Sequence, residues 1–244
     1  MLPISSAQNP TIKLVRSLED KKGRREAGLF VAEGLAMLER AEDLGWEPDF
    51  LIATKPTYLF NGAKPFIVTE KLMAELSAQN NPHDVLAVFK QRWQPHPSKT
   101  GTWLALEEIR DPGNLGTIIR TADAASASGI ILVGDCVDPY APESVRASTG
   151  SIFASTITRM PTASFTDLLK SWPGESVATL MSANKDFRKE YKSPTLIVLG
   201  SEARGLTETI ANACKTKVHI PMKAGVESLN VATAAALMLY QIHV

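Results

Sequence analysis

The chain has 244 residues, with 26 basic and 26 acidic side chains and so a formal net charge of zero. With 44% hydrophobic and 21% charged residues it has the balance of a globular chain able to bury a core, in one large or two modest domains. The zero balance excludes a chain-wide electrostatic footprint for nucleic acid and leaves only local basic patches to consider.

In chain order, Asn9-Pro10 opens a helical pattern in which Ile12, Leu14, Val15 and Leu18 share a face. Lys13, Arg16, Lys21, Lys22, Arg24 and Arg25 are interleaved with it or follow it, diluted by Glu19, Asp20 and Glu26. Such a run reads either as a solvated helix end or as an edge that contacts phosphate. Leu29 to Gly34 predicts a strand, and Leu35 to Leu44 a helix stopped by Gly45. Strands follow at Phe50 to Ala53, Pro65 to Val68 and Val85 to Phe89, with a helix at Glu70 to Gln79. This alternation makes a small α/β domain of roughly 90 residues.

Gln94 to Gly101, with two prolines and a glycine, reads as a linker, giving domains at 1–93 and 102–244 with 94–101 between. The alternation then restarts, with strands expected at Trp103 to Leu106, Gly129 to Val133, Val177 to Met181, Thr195 to Leu199 and Lys217 to Met222. Several of these runs are solidly apolar, which points to a parallel sheet covered on both faces, in an α/β fold. Cys136 and Cys214 form no CxxC pair, so neither a disulfide framework nor structural zinc is expected, and no metal is called for elsewhere. Met1 to Ser6 lacks a signal-peptide layout and no apolar run reaches membrane-spanning length, which makes a reducing cytoplasm the expected compartment.

Three stretches sit at strand-to-helix turns of the second domain. In Asp111 to Asp123, Pro112-Gly113 reads as a turn and Asn114 as a helix cap. Gly116 and Arg120 share the outer face, so Arg120 could meet an anion across a glycine gap. Leu199 to Thr207 follows an apolar strand and spaces Gly200 and Gly205 as a P-loop does. Leu206 stands where a phosphate-binding Lys is needed, which excludes a nucleotide triphosphatase, and no GxGxxG is present. Lys217 to Leu237 reads as a strand closed by Pro221, a loop with Gly225 at positive φ, and a helix starting near Ser228 and Asn230, both good caps. Each stretch alone has a plain structural reading; together they describe a ligand crevice.

In this order and spacing the three stretches resemble the motifs of the SpoU (TrmH) RNA ribose 2′-O-methyltransferases of the SPOUT superfamily. Asn114-Leu115-Gly116 with Arg120 is similar to the first motif, Gly200 to Gly205 to the second, and Ile220-Pro221-Met222 with Ser228 to Ala232 to the third. Asp138-Pro139-Tyr140 and Val145 to Ser148 match the segment between the first two. The resemblance covers about Leu104 to Gln241. Phe30 to Gly34, with the basic helix before it, resembles the family's L30e-like substrate-binding domain.

The resemblance implies a C-terminal domain with a deep trefoil knot and a homodimer with the site near its interface. It implies S-adenosyl-L-methionine as methyl donor, held around Gly200, Ile220, Met222 and Leu229. It further implies catalysis by Asn114, Arg120, Glu202, Ser228 and Asn230, and RNA contact by Lys21, Lys22, Arg24 and Arg25. The expected reaction is methyl transfer to a ribose 2′-hydroxyl, on rRNA in preference to tRNA. The alternative is a module that binds RNA without catalysis. The modified nucleotide is not written in the sequence, because phosphate contacts position without specifying.

Overall fold

A computed structural model of the chain describes residues 3–60, 63–77, 81–223 and 225–243. Contacts divide the chain into two compact units, one of Met1–Gln91 with Asp138–Ala154 and one of Arg92–Val137 with Ser155–Val244. The segment 138–154, expected within the second domain, thus belongs to the first unit.

The first unit opens with α1 (Pro10–Ser17), where the Asn9 side chain accepts from the Thr11 N–H and Pro10 occupies the first turn. There follow α2 (Lys21–Ala27), β1 (Leu29–Glu33), α3 (Leu35–Asp43), β2 (Phe50–Ala53), β3 (Phe66–Ile67), α4 (Glu70–Leu76) and β4 (Val85–Lys90). Helix α4 stops at Leu76 because Ser77 turns extended; 78–79, expected to continue it, lie outside the described residues. The strands form a mixed sheet in the order β1-β4-β2-β3. One core cluster joins Ile12, Val15 and Leu18 of the first helical segment to Ile52, Leu72, Leu86 and Val88.

The second unit begins with β5 (Thr102–Glu107), α5 (Pro112–Ala124) and β6 (Gly129–Val133). The chain then contributes α6 (Pro142–Ser148) and a 3-10 turn, Ser151–Phe153, to the first unit. There Tyr140 stacks on Phe30 with ring centroids 4.7 Å apart, and Phe153 lies 4.9 Å from Phe89 and 5.1 Å from Trp46. Trp46 Nε1 donates to the Phe153 carbonyl at 2.8 Å. Aromatic faces and a buried indole donor so placed make 138–154 part of that core.

The second unit resumes with β7 (Ile157–Met160), α7 (Thr162–Lys170), β8 (Glu175–Thr179), β9 (Lys185–Asp186), β10 (Thr195–Leu199), α8 (Glu208–Ala213), β11 (Thr216–His219) and α9 (Val231–His243). Its seven-stranded sheet has the order β7-β6-β5-β10-β8-β11-β9, with every pair parallel. Strand β11 ends at His219, short of the expected Met222, because Pro221 has no N–H to extend the ladder. From β5 the chain runs outward through β6 and β7, then crosses to β8 on the far side of β10. That reversal makes a topological switch point beside the C-terminal ends of β5 and β10, where open parallel sheets hold ligands.

Candidate active site

At the C-terminal ends of β8, β10 and β11 the second unit encloses a pocket of about 570 Å³, within the range of small-molecule sites. Four stretches line it: Thr179 to Ser182 after β8, Leu199 to Leu206 after β10, Ile220 and Met222 after β11, and Glu227 to Leu229 ahead of α9, with Val231 and Ala234 from the helix itself.

The loop after β10 is shaped by backbone closure. Gly205 N–H donates to the Ser201 carbonyl at 2.8 Å, and Gly205 has φ +67°. A Cβ on Gly200 would lie 2.1 Å from the Gly205 carbonyl carbon, so only glycine lets the loop fold back on itself. The far end is pinned by Glu107, 3% exposed, whose carboxylate accepts from Thr207 N–H at 2.9 Å and Thr207 Oγ1 at 2.8 Å. Thr207 in turn caps α8. Gly225 takes the expected positive φ, +90°.

Beside the pocket, side chains from the three motif stretches join in one hydrogen-bonded relay. Asn230 Oδ1 accepts from the backbone N–H of Ala232 at 2.8 Å and of Thr233 at 3.3 Å, capping α9. Asn230 Nδ2 donates to Asn114 Oδ1 at 2.8 Å, and Asn114 Nδ2 donates to Glu202 Oε1 at 2.6 Å. The direction is forced. A backbone N–H can only donate, so the Asn230 oxygen must face the helix and its nitrogen must face Asn114. The Asn114 oxygen is then taken, and its nitrogen is what remains for Glu202.

Asn114 was expected to cap α5 and does not. Asp111 is the cap, accepting from the Asn114 N–H at 2.6 Å, and Asn114 lies in the first helical turn with its side chain free for the relay. Arg120 is exposed on α5, a helix that packs against α9, and is not among the residues lining the pocket.

The SpoU rRNA methylase family matches residues 101–240, and an MRM3-like substrate-binding domain matches residues 9–87. The chain belongs to the SpoU rRNA methylase family. It is 39% identical to the AdoMet-bound rRNA methyltransferase of Sinorhizobium meliloti, with a TM-score of 0.89 over 98% of this chain and 96% of that one. It is 27% identical to the 23S rRNA (guanosine(2553)-2′-O)-methyltransferase RlmP of Bacillus subtilis, over 99% of both chains. It is 29% identical to the 23S rRNA (uridine(2479)-2′-O)-methyltransferase of Streptomyces viridochromogenes, over 92% of this chain and 85% of the other.

Of the residues that the SpoU resemblance singled out, Gly200, Glu202, Ile220, Met222, Ser228 and Leu229 all line the pocket, while Asn114 and Asn230 adjoin it through Glu202. Lys21, Lys22 and Arg25 are exposed on α2. Arg24 is not with them. It is 3% exposed, its Nε donates to Asp138 Oδ2 at 2.7 Å, and its NH1 donates to the carbonyls of Leu18 and Glu19 at 2.8 and 2.7 Å. A guanidinium committed in this way holds the first unit together and has no face for a phosphate. Sequence reasoning missed Thr179 to Ser182, whose signal was positional: they follow a strand that lies between the two motif-bearing strands β10 and β11.

The pocket suits a ligand with the chemistry of S-adenosylmethionine. Leu199, Leu206, Ile220, Met222 and Leu229 supply apolar wall, and Glu202 and Glu227 add two carboxylates to the lining. In the wall, the buried Thr179 Oγ1 has no hydrogen-bond partner among the described residues. Both cysteines are buried, and burial pushes their thiols up, Cys214 to about 12, so neither offers a thiolate at neutral pH. Among the described residues no cluster of three or more His, Cys, Asp or Glu is placed to hold a metal ion. Among them, too, no helix is long and apolar enough to cross a membrane.

Proposed function

We propose that the protein transfers a methyl group from S-adenosylmethionine to a ribose 2′-hydroxyl of ribosomal RNA. The observation that carries this reading is the relay that ties Glu202, Asn114 and Asn230 together at the edge of a pocket sized for a small molecule. S-adenosylmethionine supplies, when bound, a methyl group already activated on a sulfonium. The remaining work falls to the chain: alignment, charge balance and removal of the hydroxyl proton.

In this reading Gly200, Ile220, Met222 and Leu229 hold the donor, and Ser228 offers a hydroxyl to donor or ribose. Arg120 binds the phosphate beside the acceptor sugar and stabilises charge developing on its oxygen. A guanidinium does not act as the base, because it keeps its proton throughout the working pH range. Lys21, Lys22 and Arg25 of the first unit meet RNA phosphates. Selection of RNA over DNA follows from the chemistry, since only RNA carries the 2′-hydroxyl.

The working form in this reading is a cytoplasmic homodimer, knotted around the pocket. Helix α9 supports the dimer: no charged residue lies between Val231 and Ile242, yet Leu237 is 38% and Tyr240 48% exposed. Water-facing helix surfaces are ordinarily polar, so this face suits a second copy. Arg120, outside its own chain's pocket, would serve RNA bound across that interface. The intact relay argues against a module that binds RNA without acting.

The test is transfer of labelled methyl to RNA from a strain lacking the protein, with the site mapped by primer extension at low nucleotide concentration. A stop in ribosomal RNA is expected; label confined to tRNA would overturn the choice of substrate. Arg120→Ala should lose transfer while calorimetry still detects S-adenosylmethionine binding, and transfer near the wild-type rate would remove Arg120 from the chemistry.

A further inference from the structure

Tryptophan is ordinarily well buried, and three of the four in this chain follow the rule: Trp46, Trp103 and Trp172 are 4%, 1% and 1% exposed. Trp93, the second residue of the second unit, is 38% exposed. It is also held in place. The next residue, Gln94, donates its backbone N–H to the Ile157 carbonyl at 2.9 Å, which ties the segment to the start of β7. The Arg159 guanidinium lies over the indole, 5.5 Å from the ring centroid. That guanidinium is itself fixed, its NH1 and NH2 donating to the carbonyls of Cys136 and Val137 at 3.1 and 3.2 Å. Resting on the methyltransferase reading, we propose that Trp93 and Arg159 form a stacking surface for an RNA base close to the nucleotide that is methylated.

The chemistry fits an unpaired base. Aromatic rings and arginine planes are the groups on which proteins stack single-stranded RNA, and here the two are already assembled. A ring fixed before binding has little rotamer freedom left to lose. The hydrogen bonds of Arg159 go to neutral carbonyls, and no ion pair among the described residues cancels its charge, which favours a polyanion. Every base has a π-face, so such a surface positions the strand without reading its sequence.

The register brings this surface to the pocket's edge of the sheet. Arg159 is the Cα partner of Leu132, Leu132 of Leu106, and Leu106 of Leu199, which lines the pocket. That row crosses three strand spacings, about 14 Å, with its side chains on one face of the sheet. The distance is a reach of a few nucleotides, so the stacked base is a near neighbour of the acceptor and not the acceptor itself.

With the other three tryptophans buried, the fluorescence of Trp93 reports on its own contacts. Ribosomal RNA from a strain lacking the protein is titrated into wild type, Trp93→Phe and Trp93→Leu without S-adenosylmethionine, with binding read by filter retention and the indole by fluorescence. Wild-type fluorescence should fall as RNA binds. Trp93→Phe keeps a ring, so its affinity should stay within about threefold of wild type while the fall disappears. Trp93→Leu keeps apolar cover for Arg159 but has no ring, and should bind about 5–150-fold more weakly, the range for losing one stacked base. Calorimetry should give both variants the S-adenosylmethionine affinity of wild type. A Leu variant that binds RNA as tightly as wild type would overturn the proposal and leave the indole as cover for Arg159. So would wild-type fluorescence that does not move at saturating RNA, a result that stands even if a variant fails to fold. Failure of the underlying reading looks different: wild type then transfers no methyl to that RNA, whatever its fluorescence does.

Discussion

The first unit holds Arg24 and Asp138 together, 114 residues apart in sequence, and the second holds Glu202, Asn114 and Asn230 together across similar separations. The two networks differ in how completely they are closed. Arg24 spends three hydrogen bonds on Asp138, Leu18 and Glu19, and Asp138 also accepts from the Tyr140 N–H at 3.0 Å. Almost none of the arginine meets water. The relay of the second unit is saturated at its helical end and open at Glu202, which faces the pocket. A closed buried network fixes a fold; one with a single free acceptor at its end is equipped for chemistry.

The largest test of this contrast is Arg24→Ala. It leaves a buried carboxylate and two carbonyls without their partner and should cost about 3–5 kcal/mol of stability in urea unfolding. A cost below about 1 kcal/mol, the scale of an exposed pair, would place Arg24 back among the surface basic residues.

Asn230→Asp probes the other network. The aspartate can still accept from Ala232 and Thr233, and its charge suits the start of α9, so the melting temperature should hold or rise. It has no N–H to give Asn114, which then turns its oxygen away from the helix end and toward Glu202. Methyl transfer should fall by about tenfold or more, the scale on which a misplaced side chain at a reaction site acts. Unchanged transfer would show that the relay does not orient Glu202.

A smaller effect belongs to the start of β8. Burial pushes the Glu175 carboxyl up, but hydrogen bonds from Lys189, Thr216 and the Lys192 N–H outweigh it and carry the pKa below its ordinary 4.5. A depressed carboxylate stabilises the fold above that ordinary value and loses the contribution as pH falls through the folded value. Glu175→Gln should therefore cost about 1 kcal/mol at neutral pH, with the gap to wild type closing on acidification. A gap that stays constant from neutral to acid pH would contradict the ion-pair account.

Much of this architecture is legible in the sequence, for identifiable reasons. Phe50 to Ala53, Gly129 to Val133 and Thr195 to Leu199 are apolar runs bounded by polar or turn residues, and each is a strand with those limits. The loops after β10 and β11 announce themselves through glycine, proline and capping residues. Strands β7 and β9 escaped notice because Ile157–Met160 carries Arg159 and Lys185–Asp186 is a two-residue charged edge. Arg24 reads as one more cation in a basic run because its partner is 114 residues away, and only the fold shows that Asp138 returns to it. The sequence leaves the start of α9 open between Ser228 and Asn230 because they are equally good caps by type. The structure assigns the cap to Asn230, whose amide nitrogen can then reach Asn114.

The most direct test of the whole account is chemical. Ribosomal RNA from a strain lacking the protein is incubated with the protein and methyl-labelled S-adenosylmethionine, then hydrolysed in alkali. Alkaline cleavage needs a free 2′-hydroxyl beside each phosphate. Methylation of the ribose should therefore carry the label into an alkali-stable dinucleotide; label released in mononucleotides, or no label at all, would contradict it.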